Sequence, residues 1–533
     1  MKNSVLRNQN LTPIIHPTHL LIQLIKQVTV NRIPQIILRI RQKKLQTPES
    51  DKSDAIIAIP STSHGNMVTE PYSDGTSQVV YDRSPDIPSP NIIEMENDPP
   101  NVNHKVYADE VWNDPVGHHQ VFEFDTQWGV SSEYAAALIG GTPLDFYSVF
   151  FDNQIIDEMV TQTNLYATQT ITNSDDVSKH SRLHKWIPTH MSEMKIFIGI
   201  LGYMGMVRMP SVRHYWSQKP MFHNIFVSSA MTRNRLELLL KFWHFTDNEL
   251  CPEGDRLFKI EPFVNKLIEK FQAVYTPGET FCIDETLVPF RGRLIMKQYI
   301  PLKTHKYSIK IFNLCTANGY TWNMKLYGGK EAAPGSSVPT KMVTFLSDKL
   351  INAGRTIIMD DYYTSLELAN ILLDKKTHMI GTLRANRRGN PKEVTTKKLK
   401  VGEVYAKEND RGICILNWKD KRDVLLLTTK HGDETREVER RTGTIQKPVA
   451  VLEYNAGKSS IDLSDQMSSY NTSLRKTIKW YRKIALEILL GTAMVNAHFL
   501  YKEINDSTIT ITDFRESIIH DLIALEERNK ENI

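Results

Sequence analysis

Asp284 closes the apolar run Phe281-Cys282-Ile283, and Asp360 closes Ile357-Ile358-Met359. Asp462 and Asp465 stand three residues apart in SSIDLSDQM. If a helix begins there, that spacing sets both carboxylates on one face. Gathered carboxylates repel one another, so a cluster of them implies a cation. Hard oxygen donors suit magnesium, which keeps several waters and needs few carboxylates. Two such cations roughly 3.5–4 Å apart activate an attacking oxygen and stabilise a leaving one. The chemistry these residues fit is two-metal phosphoryl transfer, with Asp284, Asp360 and Asp462 as ligands. Asp465, one turn on, would ligate as well or support the others. Taken singly, an Asp after an apolar run is more often a turn former or a helix cap. Glu285 and Asp361, each next in line, compete as ligands.

Basic runs trail these acids. Arg291, Arg293, Lys297, Lys303, His305, Lys306 and Lys310 follow Asp284. Arg384, Arg387, Arg388 and Lys392 come after the run HMIGTL, and Arg475, Lys476, Lys479, Arg482 and Lys483 follow Asp465, beside Trp480 and Tyr481. One such run is ordinarily a solvated face. Three of them around an acidic centre read as a surface for a phosphate backbone. Arg291, Arg293, Lys303, Lys306, Arg387, Arg388, Arg475 and Lys476 are the candidates for contact with nucleic acid.

The elements that must position the acids are legible from periodicity. FCID (281–284), YSIKIFNLCT (307–316) and YTWNMKLYG (320–328) read as strands, the last two joined through Asn318-Gly319, a hairpin signal. A helix is expected near 340–353, ended by Gly354, and TIIMD (356–360) is a fourth strand, which sets Asp284 and Asp360 at strand ends. Thr364 and Glu367 form a capping box for the next helix, and HMIGTL (378–383) is a fifth strand. The fold class is α/β, a mixed sheet covered by helices. Residues 386–447, with a hairpin expected in GICILNWKDKRDVLLLTT, read as an insertion. Before the sheet the chain is largely helical. MTRNRLELLLKFWHF is the clearest helix, capped by Thr232 and striped by Leu236, Leu239, Leu240 and Trp243.

The 533 residues suit several domains, and 41% hydrophobic with 24% charged residues is the composition of a globular protein. A net charge of +4 does not announce nucleic acid, so the local runs carry that inference. Cys251, Cys282, Cys315 and Cys414 form no CxxC pair, so no structural zinc module is visible and a disulfide framework is not expected. The apolar stretches near 195–207 and 484–501 are interrupted by polar residues, so no membrane partner is expected. There is no GxGxxG after a strand, no P-loop and no GxSxG, which leaves little for a dehydrogenase, kinase or hydrolase reading. Residues 1–50 are basic, and scarce acids there suit a presequence while Pro13, Pro17 and Pro34 oppose it. A DNA-touching arm or an unstructured leader are the alternatives. The acidic, Ser- and Pro-rich stretch that follows reads as a disordered linker.

Six segments together resemble the piggyBac-type transposases and their domesticated derivatives: FYSVFFDNQIIDEMVTQTNLYA, FIGILGYMGMVRMPSVRHYW, MTRNRLELLLKFWHFTDN, IDETLVPFRGR, MDDYYTS and SSIDLSDQM. The match runs from about 120 to about 505 in the family's order. The resemblance implies an RNase H-like catalytic core with an insertion domain, flanked by a mostly helical dimerisation and DNA-binding domain. It implies cut-and-paste transposition at TTAA targets with Mg2+, or Mn2+ in its place. It places the catalytic aspartates at Asp284, Asp360 and Asp462, with a further required one at Asp465. The division it implies is a basic leader 1–50, a linker 51–117, a helical domain 118–278, the core in two parts at 279–385 and 448–470, the insertion 386–447, and C-terminal helices 471–533. Expected partners are double-stranded DNA and a second copy of the chain, in the nucleus. Many members end in a cysteine-rich zinc module, and no cysteine follows Cys414 here, which leaves open what reads the transposon ends. A transposase-derived nuclease, a catalytically silent DNA- or chromatin-binding protein, and a relic without host function are the other readings.

Overall fold

The computed structural model describes residues 110–173, 181–301, 303, 305–329, 337–440, 443–474 and 478–531. The basic leader and the linker through residue 109 lie outside the described residues, as do Arg475 and Lys476.

Ten strands form one sheet: β1 (Trp112–Asn113), β2 (Thr280–Pro289), β3 (Gln298–Tyr299), β4 (Tyr307–Thr316), β5 (Thr321–Leu326), β6 (Thr356–Met359), β7 (His378–Thr382), β8 (Val404–Asn409), β9 (Cys414–Lys419) and β10 (Asp423–Thr428). Their order is β1-β8-β9-β10-β7-β6-β2-β4-β3, with β5 also paired to β4. β2, β6 and β7 run parallel at its centre. The neighbours β4 and β10 are antiparallel to them. The sheet is therefore mixed, as the strand sequence implies. The turn between β4 and β5 uses Gly319 at φ +90°, a conformation that glycine reaches without steric cost.

The helices that matter for the site are α1 (Asn153–Thr172), α2 (Met191–Met206), α3 (Arg233–Phe242), α4 (Glu261–Val274), α5 (Val338–Ser347), α6 (Leu366–Asp374), α7 (Val449–Gly457), α8 (Ser460–Ser469), α9 (Trp480–Glu487), α10 (Ala493–Asn505) and α11 (Ile511–Glu531). Thr232 caps α3 by accepting from the Arg235 N–H. Leu236, Leu239 and Trp243 are fully buried, and Leu240 is half-buried. Each buried leucine of that stripe contributes about 1.5–3 kcal/mol.

Three local expectations change. α5 stops at Ser347, and Gly354 lies beyond it in the loop before β6, at φ +65°. Ser365, not Thr364, caps α6, its hydroxyl accepting from the Leu368 N–H at 3.2 Å. Thr364 instead donates to the Asp360 carbonyl at 2.8 Å. β2 continues past Asp284 to Pro289, so Asp284 is a mid-strand residue rather than a strand end.

The hairpin read in 412–429 is present as β9 and β10. With β8 it joins the edge of β7, Leu426 facing Thr382, so these strands extend the central sheet. A separate hairpin of β11 (Thr435–Arg440) and β12 (Gly443–Pro448) leads into α7. Lys430 bridges Glu279 at 3.0 Å and Glu453 at 2.8 Å, and His431 meets Glu453 at 2.6 Å. This network ties the end of β10 to α7 and to the start of β2.

The helical run Trp480–Asn505 is long and apolar enough to cross a membrane, but most of it is buried inside the fold. Its apolar surface is satisfied by protein contacts.

Candidate active site

Side chains alternate between sheet faces with a period of two. Cys282 of β2 faces Cys315 of β4 and Ile358 of β6, and all three pack beneath Ala450 and Val451 of α7 and Ile461 of α8. Two residues further, Asp284 and Asp360 share that face. The parallel pairing of β2 with β6 ends at Ile283 and Met359. Both aspartates thus stand just beyond the last paired residues, where the strands stop shielding one another. Asn313 lies opposite Asp284 on β4.

Each carboxylate is held locally. Asp284 Oδ1 accepts from the Glu285 N–H at 2.8 Å, and Asp360 Oδ1 from the Tyr362 N–H at 2.9 Å. Burial, Glu285 and Asp360 push the Asp284 carboxyl well above the usual carboxylate range. Burial and Glu285 raise Asp360 to about 6.

α8 forms where the SSIDLSDQM motif stands and lays Asp465 across β2. The Thr286 hydroxyl donates to Asp465 Oδ1 at 2.6 Å, and the Asn313 amide donates to the Thr286 oxygen at 2.6 Å. Asp465 is raised to about 7, mainly by burial, against the Thr286 hydrogen bond that lowers it. Asp462, one turn earlier, is exposed. Its charge acts on Cys282 and Asp465.

Asp284, Asp360 and Asp465 are therefore brought to one face, with Asp462 at its rim. Among the described residues, no three acidic, histidine or cysteine side chains gather closely enough to hold one ion. The donor chemistry nonetheless fits a hard divalent ion. All the candidate donors are oxygens, and burial keeps the nearby Cys282 thiol protonated. The buried Asn313 Oδ1 has no partner among the described residues, which leaves an acceptor open beside Asp284.

Sequence reasoning passed over Thr286 and Asn313, although the period of two from Asp284 marks Thr286 as a neighbour. It also left Glu285 open as a ligand. The same alternation sets Glu285 out of step with Asp284 along β2, and its carboxyl accepts from Tyr363 Oη at 3.0 Å and pairs with Lys310 at 3.6 Å while still reaching the Asp284 carboxyl.

The basic residues divide. Arg291, Arg293, Lys303, Lys306 and Arg388 are exposed, and Lys303 is near enough to act on Asp465. Arg387 is committed inward and donates to the carbonyls of Asp361 and Tyr362. Arg384 pairs with Asp361 at 3.1 Å. Arg482 and Lys483 leave the proposed phosphate surface. Both are buried, Arg482 donating to the Trp243 carbonyl and Lys483 to that of Pro289. Tyr481 is core.

Residues 142–498 match the family model described as Transposase IS4. The human PiggyBac transposable element-derived protein 3 is 26% identical over 396 residues, covering 71% of this chain and 64% of that protein. The human PiggyBac transposable element-derived protein 2 is 27% identical over 398 residues, with the same coverages. The chain thus spans a little under two thirds of the length of these relatives. Among solved structures, a piggyBac transposase synaptic complex with hairpin DNA superposes with a TM-score of 0.67 at 26% identity, covering 76% of this chain and 85% of that one. A family match over residues 142–498, more than half of the chain and including all four aspartates, makes this chain a member of the piggyBac-type transposase family.

Proposed function

We propose that this chain is a cut-and-paste DNA transposase that acts at TTAA targets and uses Mg2+, with Mn2+ as a substitute. The observation that carries the reading is the placement of Asp284 and Asp360 side by side at the end of a parallel strand pair, with Asp465 laid over the same face from α8. Divalent cations bound there would supply an activated oxygen nucleophile and a stabilised leaving oxygen. Asp284 and Asp360 would hold them, and Asp462 has the reach of an exposed first-turn residue. Thr286 and Asn313 hold Asp465 in place, and Arg384 and Arg387 hold the loop that carries Asp360. Arg291, Arg293, Lys303, Lys306 and Arg388 are placed to receive a phosphate backbone. The solved relative is a synaptic complex with hairpin DNA, which supports DNA as the substrate; a double-stranded substrate and a second copy of the chain as partner are part of the proposal. So is a nuclear location, where a DNA substrate stands.

The test is strand cleavage of labelled duplex carrying TTAA-flanked transposon ends, with Mg2+ or Mn2+, wild type beside Asp360→Asn. Metal-dependent nicking by the wild type alone supports the proposal. DNA binding without nicking by either protein overturns it in favour of a silent binder.

A further inference from the structure

α8 carries two of the four aspartates, and two different parts of the chain hold it. Toward its middle it rests on the sheet. Ser464 Oγ lies 3.4 Å from Thr321 Oγ1 at the start of β5, and Asp465 takes the Thr286 hydroxyl. Its last turn is gripped by the C-terminal helices. The Ser468 hydroxyl donates to Glu487 Oε1 of α9 at 2.7 Å. Arg515 of α11 donates to the carbonyl of Met467 at 3.0 Å and to that of Ser468 at 3.4 Å. Just past the helix it also donates to the Asn471 carbonyl at 3.3 Å.

A helix leaves its last four carbonyls without an intrahelical partner, and they carry the negative end of its dipole. A planar guanidinium with five donors binds several of them at once, whereas an ammonium is a point charge. Arg515 is only 3% exposed. A buried cation is costly unless it is hydrogen-bonded, so this one fixes its partners rather than only filling space. The packing around them is close. A Cβ on Gly491, in the π-helical turn Ile488–Thr492 that follows α9, would lie 2.4 Å from Ser468 Oγ and 2.9 Å from Glu487 Oε1. A Cβ on Gly205 of α2 would lie 2.4 Å from the Asn471 carbonyl oxygen. The end of α8 therefore sits directly against the backbones of two other helical segments.

Asp465 and Ser468 are three residues apart and neighbours on one face of α8. What sets the height of Ser468 thus sets the height of Asp465 over Thr286, and Asp462 moves with them on the same rigid helix. Glu487 is near enough for its charge to act on Asp465. We propose that Arg515 and Glu487 are positioning residues of the acidic site: from the C-terminal helices they set where α8 holds Asp462 and Asp465 over β2. The inference rests on the cleavage reading above and adds what aligns its last two acids.

The full chain is compared with Ser468→Ala, which removes one hydroxyl and no charge, and with Arg515→Lys, which keeps the charge and loses the fork. Glu487→Leu is set beside Glu487→Gln, which keeps an acceptor for Ser468. Nicking kinetics on the labelled duplex and Mn2+ affinity by electron paramagnetic resonance are measured well below every thermal midpoint. Expected in Ser468→Ala, Arg515→Lys and Glu487→Leu is a fall of about tenfold in both kcat and Mn2+ affinity, the usual effect of loosening the groups behind a metal site. KM for the duplex should stay within about twofold, since no DNA contact is removed. Glu487→Gln should recover most of what Glu487→Leu loses. Lower midpoints with unchanged kcat and Mn2+ affinity overturn the inference and leave a purely structural contact. A raised KM with unchanged kcat overturns it in favour of DNA binding. Where the wild type binds Mn2+ without nicking, a loss of Mn2+ affinity in the variants upholds the inference and counts against the proposed activity alone. A wild type that neither binds Mn2+ nor nicks overturns both.

Discussion

The Thr286 hydroxyl donates to Asp465 Oδ1 at 2.6 Å, across 179 positions of sequence. Asn313 donates to the same hydroxyl, so one β-strand threonine links the strand beside Asp284 to the helix that carries the last acid pair. This contact makes α8 part of the site rather than a cover over it.

Thr286→Val keeps shape and removes the hydroxyl. It leaves the buried Asn313 amide without its acceptor, at a cost of about 1–3 kcal/mol. Urea unfolding should show this loss, with cleavage reduced at the same time. Unchanged stability would mean that water replaces the hydroxyl.

Asp284→Asn should lower metal-dependent nicking by about 10²–10³-fold and leave DNA affinity nearly unchanged. It should also raise the thermal midpoint of the metal-free protein by about 2 °C at neutral pH. Burial and Glu285 disfavour the ionised carboxyl, and the amide carries no charge. A lowered midpoint would mean that the ionised form stabilises the fold.

Metal affinity should rise with pH. Asp284 at about 8 and Asp360 at about 6 hold protons that a cation must displace. Calorimetry of Mn2+ binding in buffers of different ionisation enthalpy should show proton release that fades as pH passes about 8. Binding independent of pH from 5 to 8 would exclude these carboxyls as ligands.

Gly381 of β7 leaves room for the Asp360 loop. A Cβ there would lie 2.1 Å from Thr364 Oγ1, the atom that donates to the Asp360 carbonyl. Gly381→Ala should destabilise by about 1–3 kcal/mol and reduce nicking, because the loop must move. Full nicking by a folded variant would show that this loop position is not critical.

Buried histidines should make the protein acid-sensitive. Burial lowers His244 and His378 to about 4, from an ordinary value near 6.5. Between these values the unfolded chain binds protons that the folded chain refuses, so stability falls as pH drops from 6.5 toward 4. His378→Gln should flatten the decline of the thermal midpoint over that window. The same slope in both proteins would remove His378 from the account.

Much of the fold was legible because its signals are local. The runs at 281–284, 307–316, 320–328, 356–360 and 378–383 were strands by apolar content and β-branching. Asn318-Gly319 marked their hairpin, and the spacing of Asp462 and Asp465 foretold a helix that is present. Arg387, Arg482 and Lys483 were legible only as charge. Whether a cation faces solvent or a backbone carbonyl depends on what packs against it, and composition does not carry that information.

By itself the sequence determined the elements, the family and which carboxylates deserved attention, because these depend on residue type and short spacing. Tertiary structure decided the rest. Strand register turned Thr286 to the face of Asp284, while the carboxyl of Glu285, next in line, still reaches Asp284. Parallel pairing of β2 with β6 set Asp284 beside Asp360, although 76 positions separate them in the chain. The docking of α8 then chose Asp465 over Asp462 for the inward position. Pairing and docking are settled by burial summed over the whole core, which no local stretch of residues contains.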